Sequence, residues 1–158
     1  MLIGESYLFR NLGEAALQVI REHGSERAYG GSDQVFREGD KADNFYVLEE
    51  GSVHLVMGCA EDLCFTVDRA GEMFGWSALV EPYRYRATAR CTSPTRLLVI
   101  PRSAVEEVER DYPRDGIVIF KNLAAIVTER LCEAYQEVLS ETDLEGVDSF
   151  NDGLRRIG

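Results

Sequence analysis

The sequence is poor in the side chains that build metal centres. Its 158 residues include four cysteines and only two histidines, which are isolated from each other. No cysteine stands in the close pairwise spacing that is typical of zinc and iron–sulfur sites. Cys59 and Cys64 lie five residues apart around a predicted hairpin turn, and both are expected to remain reduced thiols. We therefore expect neither a metal ion nor a disulfide-based function.

Catalytic groupings and long apolar runs are also missing. The sequence contains no recognisable Ser/His/Asp or Cys/His arrangement, so an enzyme is not expected. Its longest apolar stretches, residues 97–100 and 117–120, are far shorter than the roughly 18 residues that a membrane span needs. The first residues lack a basic segment followed by an apolar run. These features predict a cytoplasmic protein that does not enter the membrane.

Positive charge is scarce as well. The chain has 28 Asp and Glu residues against 17 Lys and Arg residues, a formal net charge of −11. Because such a surface repels phosphate backbones, direct binding to nucleic acid is not expected. One window is an exception, since no acidic residue lies between Glu81 and Glu106. Five arginines fall there: Arg84, Arg86, Arg90, Arg96 and Arg102. This basic window is either a solvated strand face or a local site for an anion.

The hydrophobic pattern changes period twice along the chain. Apolar residues recur at helical spacing from Leu8 to Arg21, and Gly24 follows as a stop signal. Between about residues 25 and 101, short β-prone runs alternate with glycine-containing turns. This density corresponds to about eight strands, which is typical of a sandwich, jelly roll or barrel. The sequence therefore predicts a mainly β fold with flanking helices.

Two helices are predicted to follow, within about residues 102–142. Ser103 can cap the first helix, with Glu106 three residues later, and Pro113 ends it. The second helix runs from about Asp115 to Thr142, and its apolar residues alternate in spacings of three and four. They are Ile117, Phe120, Ala124, Val127, Leu131, Ala134 and Val138.

This heptad-like seam has two interpretations. The helix can pack on its own β-domain, or it can form a homodimer with a second copy. A second apolar strip, made of Leu123, Ile126 and Tyr135, lets one face meet the sheet and another meet a partner, so we predict a homodimer. Residues 144–158 show little periodicity and are predicted to be a flexible tail after a domain spanning residues 1–143. These last fifteen residues are too few for a DNA-reading domain.

The order of helix, eight-stranded β-roll or jelly roll, short helix and long C-terminal helix resembles the cyclic nucleotide-binding domain of catabolite-activator (Crp/Fnr-like) proteins and cAMP-dependent kinase regulatory subunits. Residues 35–51, with turn glycines Gly39 and Gly51, are similar to the family's roll signature. Residues 71–79, followed by 85–88, are similar to its phosphate-binding cassette. The resemblance covers residues 8–142 and implies a non-catalytic regulatory domain that senses a ligand.

In the family's cassette, backbone N–H groups after a glycine converge on the cyclic phosphate, an acidic residue accepts the ribose 2′-hydroxyl, and an arginine neutralises the charge. The matching ligand-binding positions here are Phe74, Gly75, Trp76, Ser77, Ala78, Leu79, Tyr85, Arg86, Ala87 and Thr88. Trp76 stands where the resemblance implies the acid, and an indole offers no acceptor. Trp76 would either stack on a ligand ring or plug the pocket.

The position of the phosphate arginine has two alignments. Matching Ala87 and Thr88 to the family's Ala-Thr pair puts Tyr85 at that position, whereas counting from Gly75 puts Arg86 there. Because side chains alternate between the faces of a strand, only one of the two can point inward.

The resemblance implies cAMP or cGMP as the ligand, with occupancy of the cassette moving the C-terminal helix. One alternative is a pseudo-binding module whose pocket is filled by its own side chains and which acts in dimerisation or partner docking. Another is the effector half of a Crp/Fnr-like transcription regulator that pairs with a separate output protein. No other cofactor is expected.

Overall fold

The computed structural model describes residues 3–58 and 64–154. Cys59 and the side chain of Cys64, for which we predicted free thiols, lie outside the part that is described. The chain forms two compact units, Met1–Leu123 and Ala124–Gly158. The first unit holds the β-structure, and the second consists of the continuing C-terminal helix.

Eight strands lie in the described residues and form two four-stranded antiparallel sheets, as the jelly-roll prediction requires. The strands are β1 Ser25–Tyr29, β2 Gln34–Phe36, β3 Asn44–Glu50, β4 Val53–Val56, β5 Cys64–Val67, β6 Met73–Phe74, β7 Thr88–Cys91 and β8 Thr95–Pro101. One sheet has the order β1-β8-β3-β6, and the other has the order β2-β7-β4-β5. The predicted fold class is therefore confirmed.

In the second sheet, buried residues alternate along a strand with residues that face solvent. Val53 on β4 lies opposite Cys91 on β7 and Val67 on β5, and all three are buried. The next residues along, His54 and Arg90, pair with each other on the opposite face, where Arg90 is exposed. Because successive side chains point to opposite faces of a strand, one face of this sheet closes the core and the other faces solvent.

Strands β3 and β8 have buried residues on both faces. Residues 45–48 and 97–100 are all buried, because one face of these central strands meets the interior of the roll while helices cover the other. The covering helices are α1 Glu14–His23 and α2 Arg102–Asp111, which pack on each other and on β8. This explains why both strands read as continuous apolar runs.

The N-terminal helix is shorter than predicted. Leu8 and Phe9 are buried in a separate 3₁₀ turn, Tyr7–Phe9, and α1 begins only at Glu14. The helix cannot run through because Asn11 has φ = 65°, in the left-handed region. Asn122 stabilises the break, since its Nδ2 donates to the carbonyl of Leu8 and that of Arg10, both at 2.9 Å.

The boundaries of the C-terminal helices also differ from the prediction. α2 begins at Arg102 rather than after a Ser103 cap, and Ser103 is exposed with no capping bond. Pro113, which we predicted to be a stop signal, is the first residue of α3 Pro113–Leu154, a position that tolerates proline because its N–H would be unpaired anyway.

The helix α3 runs to Leu154 and so includes residues 144–154 of the segment predicted to be a flexible tail. No proline interrupts this stretch. None of the described helices combines the length and apolar character needed to cross a membrane.

Candidate functional site

The cassette-like segment turns at Gly75, directly after β6. Gly75 has φ = 75°, and the 3₁₀ turn Trp76–Leu79 follows, closed by a hydrogen bond from the N–H of Ala78 to the carbonyl of Gly75 (3.1 Å). A Cβ at this position would lie 3.1 Å from the ring of Tyr46 and 3.3 Å from that of Phe36. Glycine is thus required at this position for two reasons: the left-handed backbone and the two rings that pack against it.

Four aromatic side chains fill the interior beside this turn, and we call Phe36, Tyr46, Phe74 and Tyr85 the aromatic cluster. All four are buried. The rings of Phe36 and Tyr85 stack with centroids 3.8 Å apart, and those of Tyr46 and Phe74 stack at 5.2 Å. Phe36 also contacts Tyr46 at 5.6 Å and Phe74 at 6.0 Å. The cluster joins β2, β3, β6 and the segment before β7 into one packed unit.

The polar ends of the cluster are bonded inside the protein. The hydroxyl of Tyr85 donates to the carbonyl of Asn44 at 2.6 Å, and the Tyr46 hydroxyl interacts with that of Tyr85. Burial raises the pKa of Tyr46 far above its usual value of 10.0, with the Tyr85 hydroxyl adding to the rise. Burial also raises the pKa of Tyr85. Both phenols are therefore neutral at physiological pH.

The structure decides which residue before β7 points inward. Tyr85 is only 5% exposed, and its main chain pairs with the first turn of the roll signature through Gly39 N–H to Tyr85 carbonyl (2.8 Å) and Tyr85 N–H to Asp40 carbonyl (3.0 Å). The next residue, Arg86, is exposed and forms no hydrogen bond or ion pair within the described residues. Of the two alignments, the one that puts Tyr85 inside fits the structure, and Arg86 points away from the cluster.

The remaining predicted site residues surround the cluster to different degrees. Ala78 and Leu79 are buried, whereas Trp76, Ser77, Ala87 and Thr88 are half-buried. The Thr88 hydroxyl accepts a hydrogen bond from the N–H of Glu38 at 3.0 Å.

Glu72, the acid at the start of the cassette, cannot replace the missing sugar acceptor. Its carboxylate accepts the N–H groups of Asp68 and Arg69 and pairs with the Arg69 guanidinium.

The five arginines of the basic window do not form one anion site. Arg96 pairs with Glu50 at 3.3 Å, and Arg84 donates to the carbonyl of Gly39 at 2.9 Å. Arg86 and Arg90 are exposed.

Arg102 takes part in three contacts. Its guanidinium pairs with Asp43 and Glu106, both at 3.3 Å, and lies 4.0 Å from the ring centroid of Tyr83. It thereby connects the loop after the cassette turn to the first turn of α2.

Sequence reasoning selected Phe74 and Tyr85 but missed Phe36 and Tyr46. Phe36 lies within the roll signature and Tyr46 within the apolar run of β3, where each reads as ordinary core. Only their convergence beside Gly75 gives them a role in the site. The one sequence signal for it is that each of the four converging segments carries an aromatic residue.

The heptad-like seam of α3 is exposed along its whole length. Its exposed residues are Ile117, Phe120, Ala124, Val127, Leu131, Ala134 and Val138. In the first unit, Ile119 and Leu123 are buried instead and provide the contacts of the helix with the core. Within the first unit, the exposed residues Ile117 and Phe120 are therefore distinct from the buried side of the helix.

The sequence model of the cyclic nucleotide-binding domain matches residues 26–112, more than half of the chain. Together with the two-sheet roll, the glycine-started turn and the flanking helices, this match means that the chain belongs to the cyclic nucleotide-binding domain family. No group of three or more His, Cys, Asp or Glu side chains that could hold a metal ion occurs in the part of the chain that the structure describes.

Individual relatives lie in the same family. The chain is similar to a cAMP-dependent protein kinase regulatory subunit from Mucor circinelloides, with 29% identity over 156 residues that cover 92% of this chain and 36% of the relative. It thus spans about a third of that protein's length.

Among solved structures, a Geobacter metallireducens protein described as cyclic nucleotide-binding is 32% identical, with a TM-score of 0.69 and coverage of 78% of this chain and 91% of that one. The catabolite activator protein of Thermus thermophilus is 26% identical with a TM-score of 0.66, covering 87% of this chain and 63% of that one.

Proposed function

We propose that this chain is a non-catalytic regulatory domain whose nucleotide site is filled by its own aromatic cluster and which acts by dimerisation or partner docking. The observation that carries this proposal is the position of Tyr85. It occupies the place where the family resemblance implies the phosphate arginine, stacked on Phe36 and hydrogen-bonded to Asn44. A neutral, buried phenol cannot neutralise a cyclic phosphate.

The electrostatic cost of placing a phosphate here supports the same conclusion. A charge taken out of water needs a partner of opposite sign, and an unpaired one is strongly disfavoured. Arg86, the cation next to Tyr85 in the sequence, is exposed in the bend before β7. A cyclic nucleotide would therefore bury its phosphate against Tyr85 with no guanidinium beside it.

Steric crowding at the cassette turn acts in the same direction. The rings of Tyr46 and Phe36 come within 3.5 Å of where a Cβ of Gly75 would be, so they cover the start of the turn. Trp76, the following residue, brings an indole where the family's cassette has an acid. A ligand would have to displace packed aromatic rings before it reached the backbone N–H groups.

Dimerisation through α3 is the second part of the proposal. Seven apolar seam residues are exposed, and Leu131 and Val138 each leave 54% of their surface accessible. Burying such residues against a second copy is favourable at about 25 cal/mol per Å² of apolar surface. The three-four spacing suits the packing of two helices side by side. A homodimer would thus cover the surface that the domain leaves exposed.

The test is thermal unfolding of the purified chain with rising cAMP, and with cGMP and AMP as controls. We expect no selective shift. A specific ligand at a hundredfold excess over its Kd adds about 2.7 kcal/mol and would raise the midpoint by several degrees. A selective rise with cAMP or cGMP would overturn the filled-site proposal and favour a ligand sensor that signals through its C-terminal helix.

A further inference from the structure

The outer face of the second sheet carries positive charge. Arg90 on β7 lies between Gln34 on β2 and His54 on β4 in the strand register. Gln34 and Arg90 are exposed, and His54 is half-buried. This row faces away from the core, on the opposite side of β7 from the buried Ala89 and Cys91.

Two further arginines lie on the same face. Arg37 follows Phe36, the last residue of β2, which pairs with Ala89, and the bond from Glu38 N–H to the Thr88 hydroxyl (3.0 Å) keeps this part of the chain close to the start of β7. Arg86 and Arg90 stand two residues to either side of Thr88. Arg90 lies on β7 and Arg86 in the bend before it, so Thr88 has Arg37 close by and an arginine on either side along the chain.

None of these three arginines has a hydrogen bond or an ion pair within residues 3–58 and 64–154. Other arginines of the basic window, such as Arg96 and Arg102, are held by carboxylates. The neighbouring carboxylate of Glu38 accepts the N–H of Gly58 at 2.8 Å instead. The three arginines lie around Thr88 and have no carboxylate partner within residues 3–58 and 64–154, in a chain whose net charge is −11.

We infer that the arginine face, defined as Arg37, Arg86 and Arg90, binds an acidic peptide segment of a partner protein. Guanidinium groups bind carboxylates through paired hydrogen bonds. In an extended peptide, alternate side chains point to the same side, so one short segment can present several carboxylates to this face. A short acidic segment can touch this face alone, whereas a nucleic acid would extend over the acidic remainder of the surface. The arginine face lies on the opposite side of the strand from the aromatic cluster, so this inference does not depend on the proposed function.

The test is the binding of a fluorescein-labelled hexaglutamate peptide, followed by fluorescence anisotropy at low salt. We expect saturable binding that weakens as salt rises, because surface charges are screened. The triple variant R37A/R86A/R90A should weaken binding at least tenfold. The matched control R27A/R114A/K121A removes the same charge from exposed positions elsewhere and should change binding less than twofold. Circular dichroism verifies that both variants are folded.

A second variant separates geometry from charge. In R37K/R86K/R90K the charge stays, but the paired hydrogen bonds of the guanidinium are lost, so we expect a several-fold weaker interaction. Three results would overturn the inference: no binding of hexaglutamate by the native chain, an equal loss in the two alanine variants, or tighter binding of an oligothymidylate of the same charge.

Discussion

The ring of Tyr85 lies parallel to the ring of Phe36, with centroids 3.8 Å and planes 9° apart. These residues are far apart in the sequence and meet because β2 and β7 are neighbours in the second sheet. Their stack holds the segment before β7 against the interior, and the hydroxyl of Tyr85 fixes it further through Asn44. On the proposed function, the same stack takes the place of the phosphate arginine.

Removing the Tyr85 ring should destabilise the fold more than removing its hydroxyl. Tyr85→Phe loses the bond to the Asn44 carbonyl and should cost about 1–2 kcal/mol. Tyr85→Ala also loses the stack and leaves a cavity, so it should cost about 3–5 kcal/mol. Urea unfolding measures both changes. Tyr7→Phe is the control, because Tyr7 is 37% exposed, and a cost equal to that of Tyr85→Phe would contradict the assigned bond.

Restoring the two missing polar groups should create cyclic nucleotide binding. Trp76→Glu supplies a sugar acceptor and Tyr85→Arg supplies a phosphate partner. We expect the double variant to bind cAMP in calorimetric titrations, and Trp76→Glu alone to bind more weakly. Adding Arg86→Ala should leave this binding unchanged, because Arg86 points outward. A folded double variant that gives no heat would count against the alignment of the cassette.

Gly75→Ala should destabilise the cassette turn. The left-handed backbone costs an L-residue about 1–2 kcal/mol, and the new methyl group would press on the rings of Tyr46 and Phe36. A drop in Tm on the order of 5 °C is expected by differential scanning calorimetry. Gly39→Ala is the control: Gly39 also has positive φ (87°), but an added Cβ meets no atom within 4 Å. If Gly39→Ala lowers Tm as much, ring crowding contributes nothing.

Leu131→Asp should convert a dimer to a monomer, because it puts a charge in the middle of the apolar seam. Light scattering coupled to gel filtration measures the mass directly. Cys132→Asp introduces the same charge at the neighbouring exposed position outside the seam, and should leave the dimer intact. Dimers that persist in the Leu131 variant would show that the interface lies elsewhere.

High pH should destabilise the protein through its buried tyrosines. The pKa of Tyr46 and that of Tyr85 are raised in the folded state, whereas in the unfolded chain both groups titrate near 10.0. Stability from this source is complete below pH 10 and falls above it, because only the unfolded chain releases these protons. The tyrosinate absorbance that comes from Tyr46 and Tyr85 should therefore appear with unfolding rather than before it. Tyr46→Phe should make the loss of stability with pH less steep, and an unchanged slope would be the contrary result.

The sequence allowed the fold to be predicted where local rules are strict. Gly39, Gly51 and Gly75 all have positive φ, which is why these turns could be located in advance. The break at Asn11 could not, since it depends on Asn122, a residue more than a hundred positions away. The extent of α3 beyond residue 142 could not be predicted, because residues 144–158 show little apolar periodicity.

The site was harder to predict than the fold for a physical reason. A shift of one residue in the alignment moves each side chain to the opposite face. The choice between Tyr85 and Arg86 therefore required the actual pairing of the chain. The aromatic cluster unites residues from four segments, and no single segment encodes it. The basic window contains Arg86 and Arg90 but not Arg37, so the sequence identified only part of the arginine face.

Trp76, the chain's one tryptophan, stands half-buried at the first position of the cassette turn. When the indole is excited selectively, the tyrosines do not fluoresce. The fluorescence of the native protein then comes from Trp76 in this turn alone. Any opening of the aromatic cluster, whether caused by a ligand, a partner or a substitution, changes the surroundings of that indole. The protein thus contains an intrinsic fluorescent probe in its cassette turn, and changes there can be followed without an attached label.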